Sequence, residues 1–410
     1  MTQFQEKVEK YAELAVRVGV NLQEGQTLII NAQIETAPFV RLVAKKAYEA
    51  GAKNVHVEWN DDELTRTKYE SAPDEAFTEY PLWKAKGLEE MAESGACVLS
   101  IYAPNPDLLK GIDSQRISNA NKAAGLALKK YRSYMMTDKM RWSIITVPTT
   151  ASVAKIFPDV SLEEGTEKLW EAIFHINRIN AEDPIAAWHT HNETLKQKVA
   201  YLNEKQYAKI VYEAPGTNLT VELPENHLWQ GGGSVSADGV VFNPNMPTEE
   251  VYTMPHRNGV NGVVQSTKPL NYAGNLIDNF TLTFENGKVV DYTAEVGYDT
   301  LKLLLETDEG ARHLGEIALV PHKSPISDSG LIFYNTLYDE NASNHLALGE
   351  AYPVNLENGT SMTEEELQER GANKSLVHED FMIGSAEMNI DGITKDGKRE
   401  PIFRNGNWAF

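Results

Sequence analysis

Carboxylates and imidazoles gather in the second half of this 410-residue chain at spacings that packing alone does not require. Four segments carry them: NMPTEEVYTMPH from Asn245 to His256, GEIALVP from Gly315 to Pro321, YDENASNHLALGEAYP from Tyr338 to Pro353, and SLVHEDFMIGS from Ser375 to Ser385. Mixed carboxylate and imidazole donors without thiolates suit divalent cations of the Zn, Co or Mn class, and bridging carboxylates are typical of two-metal sites. Glu250, Glu316, Glu340, His345, His378 and Asp380 are therefore expected to converge on a pair of divalent metal ions.

Each residue has an ordinary reading beside this one. If SLVHEDFMI is extended, period two puts His378 and Asp380 on one face, about 6.5–7 Å apart along the strand, with Glu379 on the other. An isolated His-x-Asp in a strand is weak grounds for a metal. Glu316 opens the apolar run IALV, where a carboxylate is exposed at a strand end, paired, or metal-bound, because burying it alone is costly. Of Glu249 and Glu250, only one can face inward in an extended segment. Glu340 and His345 lie five apart in a polar stretch too irregular for a helix.

Other chemistries lack their parts. The chain has no Gly-x-Gly-x-x-Gly after its first strand, no Walker loop, no Gly-x-Ser-x-Gly elbow and no HExxH, which removes nucleotide, serine-hydrolase and zincin readings. Gly231 to Gly233 precede a strand-like stretch, so they read as a loop or bulge. His189 and His191 fall in a helical pattern and point about 200° apart; they read as solvated surface histidines. The single Cys97, inside the apolar run ACVLSI, reads as a buried structural thiol and not a nucleophile.

The formal charge of −21 is spread along the chain, which excludes a nucleic-acid partner needing clustered Lys and Arg. With 41% apolar residues and no run near the ~20 that a membrane span needs, no membrane partner is expected. The amino terminus has apolar residues at Phe4, Val8, Tyr11, Ala12, Ala15 and Val18, a helical period without a signal-peptide core. A cytoplasmic location is the expectation.

A chain of this length exceeds one core, so two domains must position the candidate ligands. Over residues 1–203, strand-like runs at 27–34, 54–59, 96–102 and 142–148 alternate with helical patterns at 37–50, 61–70, 82–93, 114–132, 162–180 and 184–202. This alternation predicts an α/β amino-terminal domain with a mostly parallel sheet. Over residues 204–410 the pattern predicts a β-rich α+β domain with strands at 208–214, 218–224, 263–272, 279–284, 288–295, 314–321 and 385–393. Hairpin turns are expected at Asn286-Gly287, Asp391-Gly392, Asp396-Gly397 and Asn405-Gly406. Its one clear helix is predicted over Asp299 to Leu314.

The segments AVRVGVNLQEGQTLII, PTEEVYTMPH, LGEIALVP, DENASNHLALGEAYP and VHEDFMIGS together resemble the aminopeptidase T and aminopeptidase S family of metallo-aminopeptidases, close to its bacillary aminopeptidase S members. The resemblance covers essentially the whole chain. It implies a two-domain homodimer whose carboxy-terminal domain holds two metals through residues matching Glu250, Glu316, His345, His378 and Asp380. Glu250 rather than Glu249 is matched through the following Val-Tyr-Thr, Glu340 fits the same acidic segment, and Tyr352 matches a tyrosine of the family. The expected activity is removal of amino-terminal residues from small peptides by metal-activated water. Glu316 or Glu250 would shuttle the proton, and Tyr352 is an oxyanion donor or a packed ring. Two alternatives stay open: another metallohydrolase, such as a carboxypeptidase or amidase, and a non-catalytic acidic binding protein.

Overall fold

The computed structural model describes residues 2–272 and 275–410. Two compact units emerge, Met1–Thr190 with Gly233–Pro247, and His191–Gly232 with Thr248–Phe410.

The first unit holds a four-stranded parallel sheet in the spatial order Asn54–Asn60, Thr27–Gln33, Cys97–Ile101, Trp142–Ile145. Parallel neighbours need crossover connections, which the chain supplies as helices such as Ala37–Glu49 and Leu82–Glu93. Leu28, Ile29, Ile30, Val98 and Leu99 are buried in its core, the near-continuous apolar pattern of strands covered on both faces. Cys97 is buried among them, and burial pushes its thiol up to about 12, so it stays a protonated structural group.

The second unit is built from two antiparallel sheets. One has five strands in the order His378–Met382, His345–Gly349, Leu314–Leu319, Val251–Thr253, Gln230–Gly231; the other is larger and includes Lys209–Ala214, Thr217–Glu222, Val260–Gln265 and Asn275–Glu285. Ile317, Leu319, Leu346, Leu348 and Phe381 of the smaller sheet share one core cluster with Tyr212, Leu219, Val264, Phe280 and Leu282 of the larger. Burying one such side chain is worth about 1.5–3 kcal/mol, so this apolar face fixes the register of the small sheet. Its other face is left for polar work.

Several expectations are corrected. The pattern over 114–132 forms two helices, Ser114–Ala127 and Lys129–Met136. The helix predicted over 299–314 ends at Leu305, because Asp308 turns its carboxylate to the N–H groups of Ala311 at 2.8 Å and Leu376 at 2.6 Å, which stops the helix and opens the way to a strand starting at Leu314. Asn286-Gly287 and Asn405-Gly406 take positive φ and link paired strands, and Asp396-Gly397 lies in the loop between Asn389–Ile393 and Arg399–Arg404. Asp391-Gly392, by contrast, is inside the strand Asn389–Ile393, where the Asp391 carboxylate is held by Arg399 and Arg404. Among the described residues no helix is long and apolar enough to cross a membrane.

Candidate metal centre

Register decides which side chains meet. Glu316 lies opposite Ala347, and Ala347 opposite Asp380, so one row crosses three strands; His378 lies opposite Gly349, and His345 between Ala318 and Met382. Side chains alternate along a strand, so Glu316, His345, His378 and Asp380 share the face opposite the apolar core. Small neighbours, Ala318, Ala347 and Gly349, leave the space above that face open. Glu250 joins from the residue preceding Val251–Thr253, the strand paired to Leu314–Leu319 on its other side.

Glu316 does not open its strand in solvent, the ordinary reading of its position. It is 5% exposed in mid-strand, and a bulge at Gly315 puts it there. Leu314 pairs with Leu348 and Glu316 with Ala347, so two residues are advanced on one strand for one on the other. Leu314 therefore faces the core while Glu316 faces the polar side. A Cβ on Gly315 would overlap the carbonyl oxygens of Glu350 and Gly349.

The ring of His345 lies with Nε2 3.1 Å from Glu250 Oε2 and 3.6 Å from Glu316 Oε1. His378 Nε2 lies 3.8 Å from Glu316 Oε2 and 3.7 Å from Asp380 Oδ1. The two oxygens of Glu316 thus turn to different histidines. Two three-residue groups follow, Glu250 with Glu316 and His345, and Glu316 with His378 and Asp380, each with its donor atoms within 4.8 Å of one another. On the far side of each ring Nδ1 meets a backbone oxygen, Ser343 O at 3.1 Å and Glu350 O at 2.7 Å. An Nδ1–H donated there leaves the Nε2 lone pair of the neutral ring pointing into the pocket, the arrangement a metal-ligating histidine needs.

Without a cation the pocket is electrostatically crowded. Burial, with Asp380 close by, raises the Glu316 carboxyl, and burial with Asp380 and Glu250 raises Glu340 well above the ordinary range. Burial alone would lower His345, but its contacts with Glu250 and Glu316 outweigh that and raise it well above its usual value. Buried like charges share protons unless something positive separates them. Among the described residues Asp380 Oδ1 is buried without a hydrogen-bond partner, an arrangement that costs free energy unless a cation answers it. The donor set and this orphaned oxygen fit divalent cations.

Glu340 is buried at the start of the turn Glu340–Ala342 and belongs to neither three-residue group. Tyr352 packs against His378 with ring centroids 4.6 Å apart, and burial together with Glu316 and Asp380 keeps its phenol protonated. Glu379 points to the other face, where burial and the neighbouring Asp380 push its carboxyl up to about 8. His189 is exposed, as expected, but His191 is not solvated: its Nε2 is 2.7 Å from Thr248 O and 3.6 Å from Glu249 Oε2, because the segment leading to Glu250 runs beside its helix. Sequence reasoning also passes over Tyr252, which period two from Glu250 puts on the polar face and whose ring stands 6.4 Å from that of Tyr352. It passes over Asn341 as well, whose buried carboxamide contacts Glu340 and the backbone of Glu249.

A family model described as thermophilic metalloprotease (M29) matches residues 4–408. The chain is 63% identical to aminopeptidase 2 of Geobacillus stearothermophilus over 410 residues, covering 100% of this chain and 99% of that protein. It is 57% identical to aminopeptidase AmpS of Bacillus subtilis, covering 100% of both chains. Its fold is similar to the solved structure of wild-type AmpT from Thermus thermophilus, with a TM-score of 0.94 at 43% identity over 99% of this chain and 100% of that one.

Proposed function

This chain belongs to the thermophilic metalloprotease (M29) family, and from that premise we propose that it is a two-metal aminopeptidase releasing amino-terminal residues from small peptides. The observation that carries the two-metal reading is Glu316, whose two carboxylate oxygens face His345 and His378 separately. Glu250, Glu316 and His345 would hold one cation, and Glu316, His378 and Asp380 the other. Bound there, cations of the Zn, Co or Mn class supply Lewis acidity that makes water a nucleophile near neutral pH and polarises a carbonyl.

The chain's own groups do the rest. Of the two candidate carboxylates, Glu316 is committed through both oxygens to the cations, so Glu250 takes a proton from the attacking water and returns it to the leaving amine, a transfer that needs a carboxylate within hydrogen-bond reach of both. Tyr352, held protonated beside His378, donates its O–H to the oxygen on which negative charge develops. Glu340 lends its carboxylate to the same pocket, as a further ligand or as a seat for the substrate's α-ammonium group. The apolar face beneath keeps the strands dry and the donors fixed. We extend the proposal to a homodimer in the cytoplasm, a setting compatible with a single buried Cys97.

The test is hydrolysis of a panel of aminoacyl amides, each with its N-acetylated counterpart, by chelator-stripped protein with single divalent metals restored. Activity should vanish on stripping, return with metal, and require the free amino group. Full activity after exhaustive chelation would overturn the metal mechanism, and equal turnover of the acetylated panel would make the enzyme an amidase.

A further inference from the structure

Glu250 stands one residue ahead of Val251–Thr253, and pairing with Leu314–Leu319 begins only at Val251. Its amino-terminal side is held by side chains instead. Asn341 Oδ1 accepts the N–H of Glu249 at 2.8 Å, while the ring of His191 meets Thr248 O. The fully buried Asn341 also donates Nδ2 to Leu337 O at 3.0 Å and to Glu340 Oε1 at 3.3 Å. One carboxamide therefore ties the backbone ahead of Glu250 to the turn that carries Glu340. Only a group that both accepts and donates can make this set of bonds; a carboxylate of the same shape keeps the acceptor and loses the donor, and a leucine loses both.

We propose that Asn341 is a positioning residue of the metal centre, fixing the backbone ahead of the ligand Glu250 against the turn that carries Glu340. The proposal rests on the metal reading above. Outer partners of this kind carry about 10–100-fold in metal affinity when they orient a ligand. Asn341 acts on Glu250 through the peptide of Glu249, and on Glu340 directly.

The experiment compares wild type, Asn341→Leu and Asn341→Asp. Each full-length protein is stripped with chelator and titrated with Co2+ by calorimetry at fixed pH, with visible absorption recorded and the thermal midpoint of the metal-free form measured. For Asn341→Leu, Co2+ affinity should fall about 10–100-fold and the absorption band should shift, with cooperative unfolding retained. For Asn341→Asp, the band should shift because like charge displaces Glu340. A lower metal-free midpoint with wild-type isotherms and bands in both variants would mark a merely structural residue and overturn the proposal. If Asn341→Leu does not fold, Asn341→Asp decides alone, and an unshifted band overturns it. Failure of the wild type itself to bind Co2+ would instead bring down the metal reading and this inference together.

Discussion

Leu314 and Glu316 point to opposite faces of the same sheet although a single glycine separates them. Regular alternation would send both one way, burying a carboxylate in the core or a leucine in the polar pocket. The bulge at Gly315 resolves that conflict. Gly315→Ala should therefore destabilise the fold by about 1–3 kcal/mol, the usual cost of forcing atoms into packed space, and weaken metal uptake by moving Glu316. Urea midpoints and metal isotherms check both, and wild-type values for the pair would remove the bulge from the account.

The two faces of His378–Met382 give a sharp internal control. His378→Ala or Asp380→Ala should lose about one metal equivalent per chain and about 100-fold or more in kcat/KM, with the fold kept. Glu379→Ala, on the other face, should keep its metal. Elemental analysis of the three variants decides, and equal metal loss in all three would sink the assignment by strand face.

Tyr352→Phe tests the oxyanion role against simple packing. Loss of a donor felt only in the transition state should lower kcat by about 10²-fold or more and leave KM and metal content near wild type. Unchanged kcat would make Tyr352 a packed ring against His378.

Glu316, Glu340 and His345 all sit above their ordinary pKa values among the pocket's own groups. Through these three groups the folded chain binds more protons than the unfolded one from the ordinary carboxylate range, about 4.3, to beyond the ordinary histidine value of about 6.5. Their contribution to stability falls as pH rises through that window, because the slope follows protons bound unfolded minus protons bound folded. Divalent metal replaces those protons, so the rise in thermal midpoint on adding Co2+ should be larger at pH 8 than at pH 6. Identical rises at both pH values would mean that the cation binds elsewhere.

Much of this architecture is legible from periodicity. Alternating strand and helix patterns locate the parallel sheet strand by strand, since Thr27–Gln33 and Cys97–Ile101 each carry a short apolar run, Leu28 to Ile30 and Cys97 to Leu99. Period two also separates His378 and Asp380 from Glu379. The bulge escapes such reading, because Gly315 before an apolar run looks like the end of a turn and not the middle of a strand. His191 escapes it for a different reason: its partner, the carbonyl of Thr248, is a backbone group with no signature in the sequence. The Ser343 and Glu350 carbonyls that orient the two rings are hidden in the same way.

The row that runs from Glu316 through Ala347 to Asp380 works as a ruler. Two interstrand steps of about 4.8 Å set the distance between the two carboxylate-bearing backbones at roughly 9.6 Å, and the ladder's hydrogen bonds, not any side chain, are its graduations. A gauge made of backbone tolerates wear. Substitutions such as Leu346→Met or Leu348→Ile on the reverse face can erode stability by about 1 kcal/mol without changing the calibration, so this protein can drift in its core composition over long times while the spacing that its ligands obey stays the same.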